Sequence, residues 1–106
     1  MKSDPIYEQK ALIYKALAHP IRVQIVEFLA GGERTVTEIA EYVGAKEANT
    51  SRHLAVLRSA GVLDSRKDGL NVYYDLRMPC LVNMFSCVET ALHEKAAYHK
   101  AIAERL

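Results

Sequence analysis

The sequence predicts a mainly α-helical domain with one β-hairpin inserted before the last helix. Three observations support this fold class. The chain has 106 residues, half of them hydrophobic and a quarter charged, which suits one folded core. Apolar residues recur at helical spacing over most of its length. Only residues 62–76 alternate at every second position, as strands do. We therefore expect a single domain, residues 1–106.

The first two helices are separated by a proline. Residues 6–18 carry apolar side chains at helical spacing and predict the first helix. Pro20 suits the first turn of a second helix, because the N–H that proline lacks has no partner there. This second helix is expected to continue to Ala30, where two glycines end it.

The next two helices are short and joined by a tight turn. Thr37 is a favourable N-cap residue for the first of them, and Gly44 ends it. The second runs from about residue 47 to residue 60, and its side chains expected to face the core are Leu54, Val56 and Leu57. Residues 37–60 therefore predict a helix-turn-helix.

A hairpin and a long helix complete the chain. Residues 62–67 and 70–76 are rich in β-forming side chains, and the pair Asp68 and Gly69 between them is a hairpin turn signal. After Pro79, expected in a first turn, one helix can run to the C-terminus. The order α-α-α-α-β-β-α, with residues 62–76 as the wing, predicts a winged helix-turn-helix.

In such a unit the second helix of the helix-turn-helix enters the major groove of DNA. Asn49 could then pair with adenine, Arg52 with guanine or a phosphate, and Glu47 with the amino group of cytosine. Four further side chains of this helix start are expected to contact phosphates or nearby base edges: Lys46, Thr50, Ser51 and His53. Arg66 and Lys67 are expected at the tip of the wing, where they would reach the neighbouring DNA backbone or the minor groove.

The charge distribution gives only weak support for this partner. The net charge is +1, and the basic excess lies in residues 46–68, which contain five basic and three acidic side chains. A solvated polar face without any partner would explain the same pattern. The coincidence of a polar helix start with a basic hairpin, in the expected order, favours double-stranded DNA.

Four stretches of the chain carry a family pattern: ALAHPIR at residues 16–22, TEIA at 37–40, TSRHLAVLRSAGVL at 50–63 and VYY at 72–74. In this order and spacing they resemble the ArsR–SmtB family of small bacterial and archaeal repressors. The resemblance implies a homodimer joined through the first and last helices, residues 1–18 and 78–106. It also implies repression at an imperfect inverted repeat in operator DNA, with release by a metal ion, a metalloid or an oxidant.

The sensor site departs from the better-known members of that family. Their arsenic and cadmium sensors often carry a Cys-x-Cys motif in or just before the recognition helix, whereas residues 36–60 contain no cysteine. Zinc-type members place ligands on the last helix, but one of the corresponding positions here is Ala91. An intact zinc site is therefore not expected. His93 and His99 are either further donors or solvated residues.

The two cysteines, Cys80 and Cys87, both fall on the last helix. Seven residues of helix advance about 10.5 Å and return to nearly the same face. A disulfide needs Cα atoms within about 7 Å, so the two thiols cannot bond within one helix. If two last helices pack antiparallel and cross near Asn83 and Met84, however, each Cys80 approaches Cys87 of the partner subunit, and symmetry forms that pair twice.

Three interpretations of these thiols stay open. With Met84 as a weaker donor, the thiolates would suit arsenic(III), antimony(III) or another soft metal ion acting as inducer. They could instead respond to oxidants or reactive sulfur. They could also be small structural hydrophobes of a dimer interface, with no metal site. In none of these cases is a permanent cofactor required.

Other functional classes have less support. A winged helix can serve as a protein-interaction module, but the basic helix start and wing argue against that use. The sequence has no glycine-rich phosphate loop, nucleophile motif or unusual carboxylate cluster, so an enzyme is not expected. The N-terminus lacks the apolar core of a signal peptide, and no apolar run is long enough for a membrane span. We therefore expect a cytoplasmic protein without a membrane partner.

Overall fold

A computed structural model of the chain describes residues 4–106. These residues form five helices and three strands: α1 (Pro5–Leu17), α2 (Pro20–Leu29), β1 (Arg34–Thr35), α3 (Val36–Val43), α4 (Glu47–Ser59), β2 (Leu63–Asp68), β3 (Asn71–Leu76) and α5 (Leu81–Glu104). The predicted winged helix-turn-helix order is confirmed, with the short strand β1 added before α3. Residues 1–3, which begin the expected dimerisation segment 1–18, lie outside the described residues.

The core lies where α2, α3, α4 and the base of the hairpin meet. Leu54 and Leu57 are fully buried, as predicted. Val56, expected to face the same core, is 37% exposed. Its direction on the helix differs from that of Leu57 by about 100°, which turns it away from the core. The other fully or almost fully buried apolar side chains are Ile25, Val26, Leu29, Ile39, Val62 and Leu63.

The N-cap of α3 is Thr35 and not Thr37. The Thr35 hydroxyl accepts a hydrogen bond from the backbone N–H of Glu38, and the Glu38 carboxylate accepts one from the backbone N–H of Thr35. This capping box requires an acidic or amide side chain three residues after the cap, and only Thr35 has one. The predicted cap at Thr37 is therefore wrong. The predicted stop at Gly44 is confirmed, since this glycine adopts the left-handed conformation with φ 71°.

The wing, formed by β2 and β3, joins β1 in a three-stranded antiparallel sheet with the strand order β1-β3-β2. Its turn lies one residue later than expected, because Asp68 pairs with Asn71 and leaves Gly69 and Leu70 as the two-residue loop. Gly69 has a φ of 63°, which such tight hairpin turns require at their first position. The strand β1 was not predicted, since two residues are too few to show an alternating pattern.

The long helix α5 packs on the rest of the chain mainly through its first turns. Leu81 is buried and Phe85 is half-buried, whereas Leu92 and every later residue are exposed. Pro79 lies in a turn two residues before the helix, and not in its first turn as expected. Across residues 4–106, none of the helices combines the length and the apolar character needed to cross a bilayer.

Candidate nucleic-acid interface

The first turns of α4 present an exposed polar surface. Five of the side chains predicted to contact DNA are exposed here: Lys46, Glu47, Asn49, Ser51 and Arg52. Lys46 is the N-cap residue, and within the described part of the chain its side chain forms no capping hydrogen bond. The backbone N–H groups at this end of α4 are therefore available to an anion such as a phosphate.

The other two predicted contacts on α4, Thr50 and His53, point into the protein. Thr50 is fully buried and His53 is only 8% exposed. Both lie on the face of α4 that also carries Leu54 and Leu57. In this conformation neither side chain is exposed on the surface where the other predicted contacts of α4 lie. The helical spacing of positions 50, 53, 54 and 57 was the signal that could have revealed this shared face.

His53 instead connects α4 to the first two helices. Its Nδ1 accepts a hydrogen bond from Nε of Arg22 at 3.1 Å, and its ring centroid lies 4.4 Å from that of His19. Arg22 also donates through Nη1 to the backbone carbonyl of Ala16, near the end of α1. Together with the buried side chains of α4, these contacts help to set the orientation of α4 against α1 and α2. The pairing of Arg22 with His53 was not predicted.

The network requires His53 in its neutral form. Burial lowers the pKa of His53, and the nearby His19 and Arg22 lower it further. The Nδ1 atom that accepts from Arg22 must be unprotonated. Protonation would place a second donor, with a positive charge, directly in front of the guanidinium.

Thr37 links the two helices of the helix-turn-helix. Its hydroxyl donates a hydrogen bond to the carboxylate of Glu47, which ties the first turn of α4 to that of α3. Glu47 was predicted to accept from a cytosine amino group, but one of its oxygens is engaged by Thr37. The carboxylate also lies at the positive end of the α4 dipole, where a negative charge stabilises the helix.

On the wing, Arg66 is held by neighbouring side chains and does not lie at the hairpin tip as predicted. It donates through Nε and Nη2 to the two carboxylate oxygens of Glu33. Its guanidinium also lies over the ring of Tyr73, 4.5 Å from the centroid, with Asp68 at 3.7 Å from Nη1. The hydrogen bonds from Arg66 lower the pKa of the Glu33 carboxyl. Arg66 must therefore leave Glu33 before it can bind a phosphate through these donors.

The second predicted wing residue, Lys67, has a more accessible position. It is exposed and pairs with Val72, next to the pair that closes the loop. Because successive side chains of a strand alternate, Lys67 points to the face of the hairpin opposite to Arg66. The structure therefore leaves Lys67 as the basic wing side chain best placed to reach a neighbouring molecule.

The two thiols lie far from the start of α4 in the sequence. Cys80 and Cys87 are both exposed and unbonded. Cys87 lies on α5, whereas Cys80, predicted to lie on the same helix, is the N-cap residue that precedes it. The two residues flank Met84 along the helix axis on one side. Cys80, Met84 and Met78 line a cavity of about 240 Å³ between α1 and α5. Met78 is a third sulfur donor that was not predicted. Within residues 4–106, no group of three or more His, Cys, Asp or Glu side chains is placed to hold a metal ion.

These elements define a class of protein. α3 and α4 form a helix-turn-helix with an exposed polar start on its second helix, and the β2–β3 hairpin follows as a wing. This is the architecture of winged helix-turn-helix proteins, which place the second helix in the major groove.

Comparison with known proteins identifies the family. Residues 19–65 match the family described as bacterial regulatory protein, arsR family. Over its whole length the chain is 36% identical to the HTH-type transcriptional regulator Rv0081 of Mycobacterium tuberculosis, and it covers 94% of that protein. The chain therefore belongs to the ArsR family of transcriptional regulators, as its sequence motifs predicted.

Solved structures show the same fold. The crystal structure of Rv0081 aligns with a TM-score of 0.75 at 35% identity, covering 90% of this chain and 96% of that one. The solution structure of the homodimeric winged helix-turn-helix DNA-binding domain of Mb0332 from Mycobacterium bovis aligns with a TM-score of 0.77 at 32% identity, covering 92% of this chain and 93% of that one.

A further relative is known by its sequence similarity. A probable mercury resistance operon repressor of Streptomyces lividans is 35% identical over 81 residues, which cover 74% of this chain and 65% of the relative.

Proposed function

We propose that the protein is a homodimeric repressor that binds operator DNA through α4 and the wing, and that a thiol-reactive inducer releases it by acting at Cys80 and Cys87. One observation carries the DNA-binding part of this proposal. α4 is fixed from behind by its buried face and by the Arg22–His53 hydrogen bond, while Asn49, Ser51 and Arg52 stay exposed on its outer side. A rigid helix with a polar outer face suits the reading of base edges.

The homodimer is supported by the apolar surface that α5 leaves uncovered. Met84, Val88 and Leu92 recur every four residues along one side of the helix and are 38%, 52% and 60% exposed. Tyr14 of α1, 54% exposed, adjoins this strip at Met84. Burying such a surface against a second copy contributes about 25 cal/mol for each Å² of apolar area removed from water, before the entropic costs of association are subtracted. Two copies would present two α4 helices to successive turns of the major groove.

The inducer part of the proposal follows from where the thiols lie. Both are exposed on the strip that contains Met84, so each borders the proposed dimer surface. A ligand bound there would favour one packing of the two copies over another, and thereby change the spacing of the two α4 helices. The three sulfur atoms around the cavity at Cys80 suit a soft ion such as arsenic(III), antimony(III) or another thiophilic metal.

A second inducer class also has support from an observation. Exposed thiols are accessible to oxidants and to reactive sulfur species, which convert them to disulfides or persulfides. The two classes differ in how release is reversed. A chelator without thiol groups removes a metal ion but leaves a disulfide or persulfide unchanged, whereas a modified cysteine keeps its mass change until a reductant is added.

The experiment measures binding to the DNA upstream of the protein's own gene by fluorescence anisotropy, with arsenite, antimonite, cadmium, copper(I), zinc or a persulfide donor added in turn. We expect Cys80→Ser and Cys87→Ser to bind the operator as the unmodified chain does and to lose the response. Ser86→Ala, between the two thiols, is the control and should keep it. Unchanged release from both cysteine variants would refute sensing at these thiols.

The dimer is tested separately by sedimentation velocity. Val88→Glu places a charge on the proposed dimer surface and should shift the protein to monomer. Thr90→Glu adds the same charge on the opposite side of α5 and should leave the dimer intact. A monomeric unmodified chain, or equal behaviour of the two variants, would contradict the proposed interface.

A further inference from the structure

A second cavity lies on the side of α1 that faces α4. It has a volume of about 500 Å³, within the range of small-molecule sites. Its walls are formed by Leu12 on α1 and by Ala55, Val56 and Ser59 on the second half of α4. The small side chains of α4 leave the space open, and Leu12 is 56% exposed. The residues that line this apolar groove include neither a predicted DNA contact nor either of the two cysteines.

Two cations line the same groove. Lys15 and Arg22 are among its lining residues, and the part of the chain described by the structure contributes no carboxylate to the lining. Arg22 uses Nε for His53 and Nη1 for the carbonyl of Ala16, and among residues 4–106 its Nη2 has no hydrogen-bond acceptor. An apolar groove with two positive groups is complementary to a molecule with a hydrocarbon body and one negative head.

We propose that this groove binds an amphiphilic carboxylate, such as a medium-chain fatty acid, as an effector distinct from the thiol-reactive inducer. The hydrocarbon body lies between Leu12 and Val56, and the carboxylate accepts hydrogen bonds from Lys15 and from Nη2 of Arg22. Charge-assisted hydrogen bonds of this kind are stronger than neutral ones.

The groove stays open in the proposed dimer. On α1, the residues that face α5 are Ile13, Tyr14 and Leu17, which line cavities shared with that helix. Leu12 and Lys15 lie on the roughly opposite side of α1, because successive residues of a helix are rotated by about 100°. A second copy packed on α5 therefore leaves the groove accessible.

Arg22 couples the groove to DNA binding. A carboxylate that draws the guanidinium toward Lys15 weakens its hydrogen bond to His53, and that bond helps to set the orientation of α4. A carboxylate bound in the groove should therefore lower the affinity of the protein for operator DNA. This regulatory step rests on the proposed function, whereas binding to the groove does not.

Binding is measured first without DNA, by isothermal titration of the full chain with decanoate. Decanol and decyltrimethylammonium, of equal chain length, serve as neutral and cationic controls. We expect saturable binding of decanoate that is weaker by about three- to tenfold for Lys15→Gln. Val56→Glu should weaken it by more than about tenfold, since it places a second negative charge in the groove beside the anionic ligand. Arg22 is not replaced, because it holds His53.

The matched control is Lys10→Gln, which removes the same charge from the α5 side of α1 and should bind decanoate normally. Absence of saturable binding, equal binding of decanol, or equal loss in Lys10→Gln and Lys15→Gln would overturn the site. The regulatory step is then tested in the variant that combines Cys80→Ser and Cys87→Ser, where decanoate should still lower operator affinity. Binding of decanoate without that effect would overturn the regulatory step, and a chain that binds decanoate but no operator would refute only the proposed function.

Discussion

Arg22 and His53 are 31 residues apart in the chain, and a 3.1 Å hydrogen bond between their side chains joins α2 to α4. The acceptor is the unprotonated Nδ1 of His53, whose ring also lies against His19. One of the contacts that orient the proposed recognition helix therefore requires an unprotonated imidazole. His53 packs behind α4, with its side chain turned into the protein.

Acidification should therefore destabilise the fold. The pKa of His53 in the folded state lies below its ordinary value of 6.5, so the unfolded chain binds this proton more readily. The contribution of His53 to stability is complete above pH 6.5 and is lost as the pH falls through 6.5 toward the lower pKa of the folded state. Urea unfolding at a series of pH values measures the effect.

The control for this prediction is a pair of variants. His53→Gln retains an acceptor for Arg22 but does not titrate, and it should flatten the pH dependence in that window. His93→Gln replaces an exposed histidine of α5 and should leave the dependence unchanged. Equal pH dependence in both variants would show that His53 is not the responsible group.

The elements were predictable from the sequence where a pattern repeats over several turns or residues. The helices and the hairpin were found in this way, and so was Gly44, whose left-handed conformation ends α3. The pattern failed where a structure is short or set by a single contact. β1 has two residues, and the choice of Thr35 over Thr37 as cap depends on one hydrogen bond to Glu38.

The candidate site was predictable as a stretch of sequence but not as a set of side-chain directions. The first turns of α4 were identified correctly as polar, yet Thr50 and His53 share the buried face with Leu57. Their polarity suggested solvent exposure, whereas the helical period, which would have indicated burial at these positions, was not applied to them. The engagement of Arg66 by Glu33 depends on residues 33 positions apart, which no local pattern reports.

Thr50→Val should stabilise the protein without affecting DNA binding. Within the described residues, the buried Oγ1 of Thr50 has no hydrogen-bond partner. Valine has nearly the same shape and removes the unsatisfied hydroxyl, so the free energy of unfolding should rise by roughly 1 kcal/mol. Denaturant unfolding measures this change, and operator affinity should stay the same because the side chain is fully buried.

Thr37→Val makes the same chemical change at an exposed position, but this variant should weaken DNA binding. It removes the hydroxyl that donates to Glu47, so the first turn of α4 is no longer tied to α3. We expect weaker operator binding with little change in stability. A loss of DNA affinity in Thr50→Val, with none in Thr37→Val, would show that the assignment of the two threonines is reversed.

Glu33→Gln should strengthen operator binding. Both carboxylate oxygens of Glu33 accept hydrogen bonds from Arg66, and the neutral amide cannot hold the guanidinium as firmly. The released Arg66 can then reach a phosphate, so the slope of log affinity against log salt should steepen by about one unit. Asp64→Asn is the matched control, because it adds the same net charge at an ion pair with Arg77 elsewhere on the wing. Equal gains from both variants would indicate a general charge effect and no release of Arg66.

Arg52→Ala and Lys67→Ala should weaken DNA binding in different ways. Arg52 lies on the exposed side of α4, where a guanidinium can form two hydrogen bonds with one guanine. Its removal should cost about 1–3 kcal/mol on the operator and less on a scrambled duplex of equal length. Lys67 lies on the wing and should act on phosphates, so its removal should weaken both duplexes alike and reduce the salt slope by about one unit.

Anisotropy titrations of both duplexes at several salt concentrations separate these outcomes. Lys95→Ala, on the exposed second half of α5, is the control and should bind both duplexes as the unmodified chain does. Equal losses on the two duplexes for Arg52→Ala would make Arg52 a phosphate contact, because only a base contact distinguishes one sequence from another. If neither Arg52→Ala nor Lys67→Ala differed from Lys95→Ala, the DNA-binding surface would have to lie outside α4 and the wing.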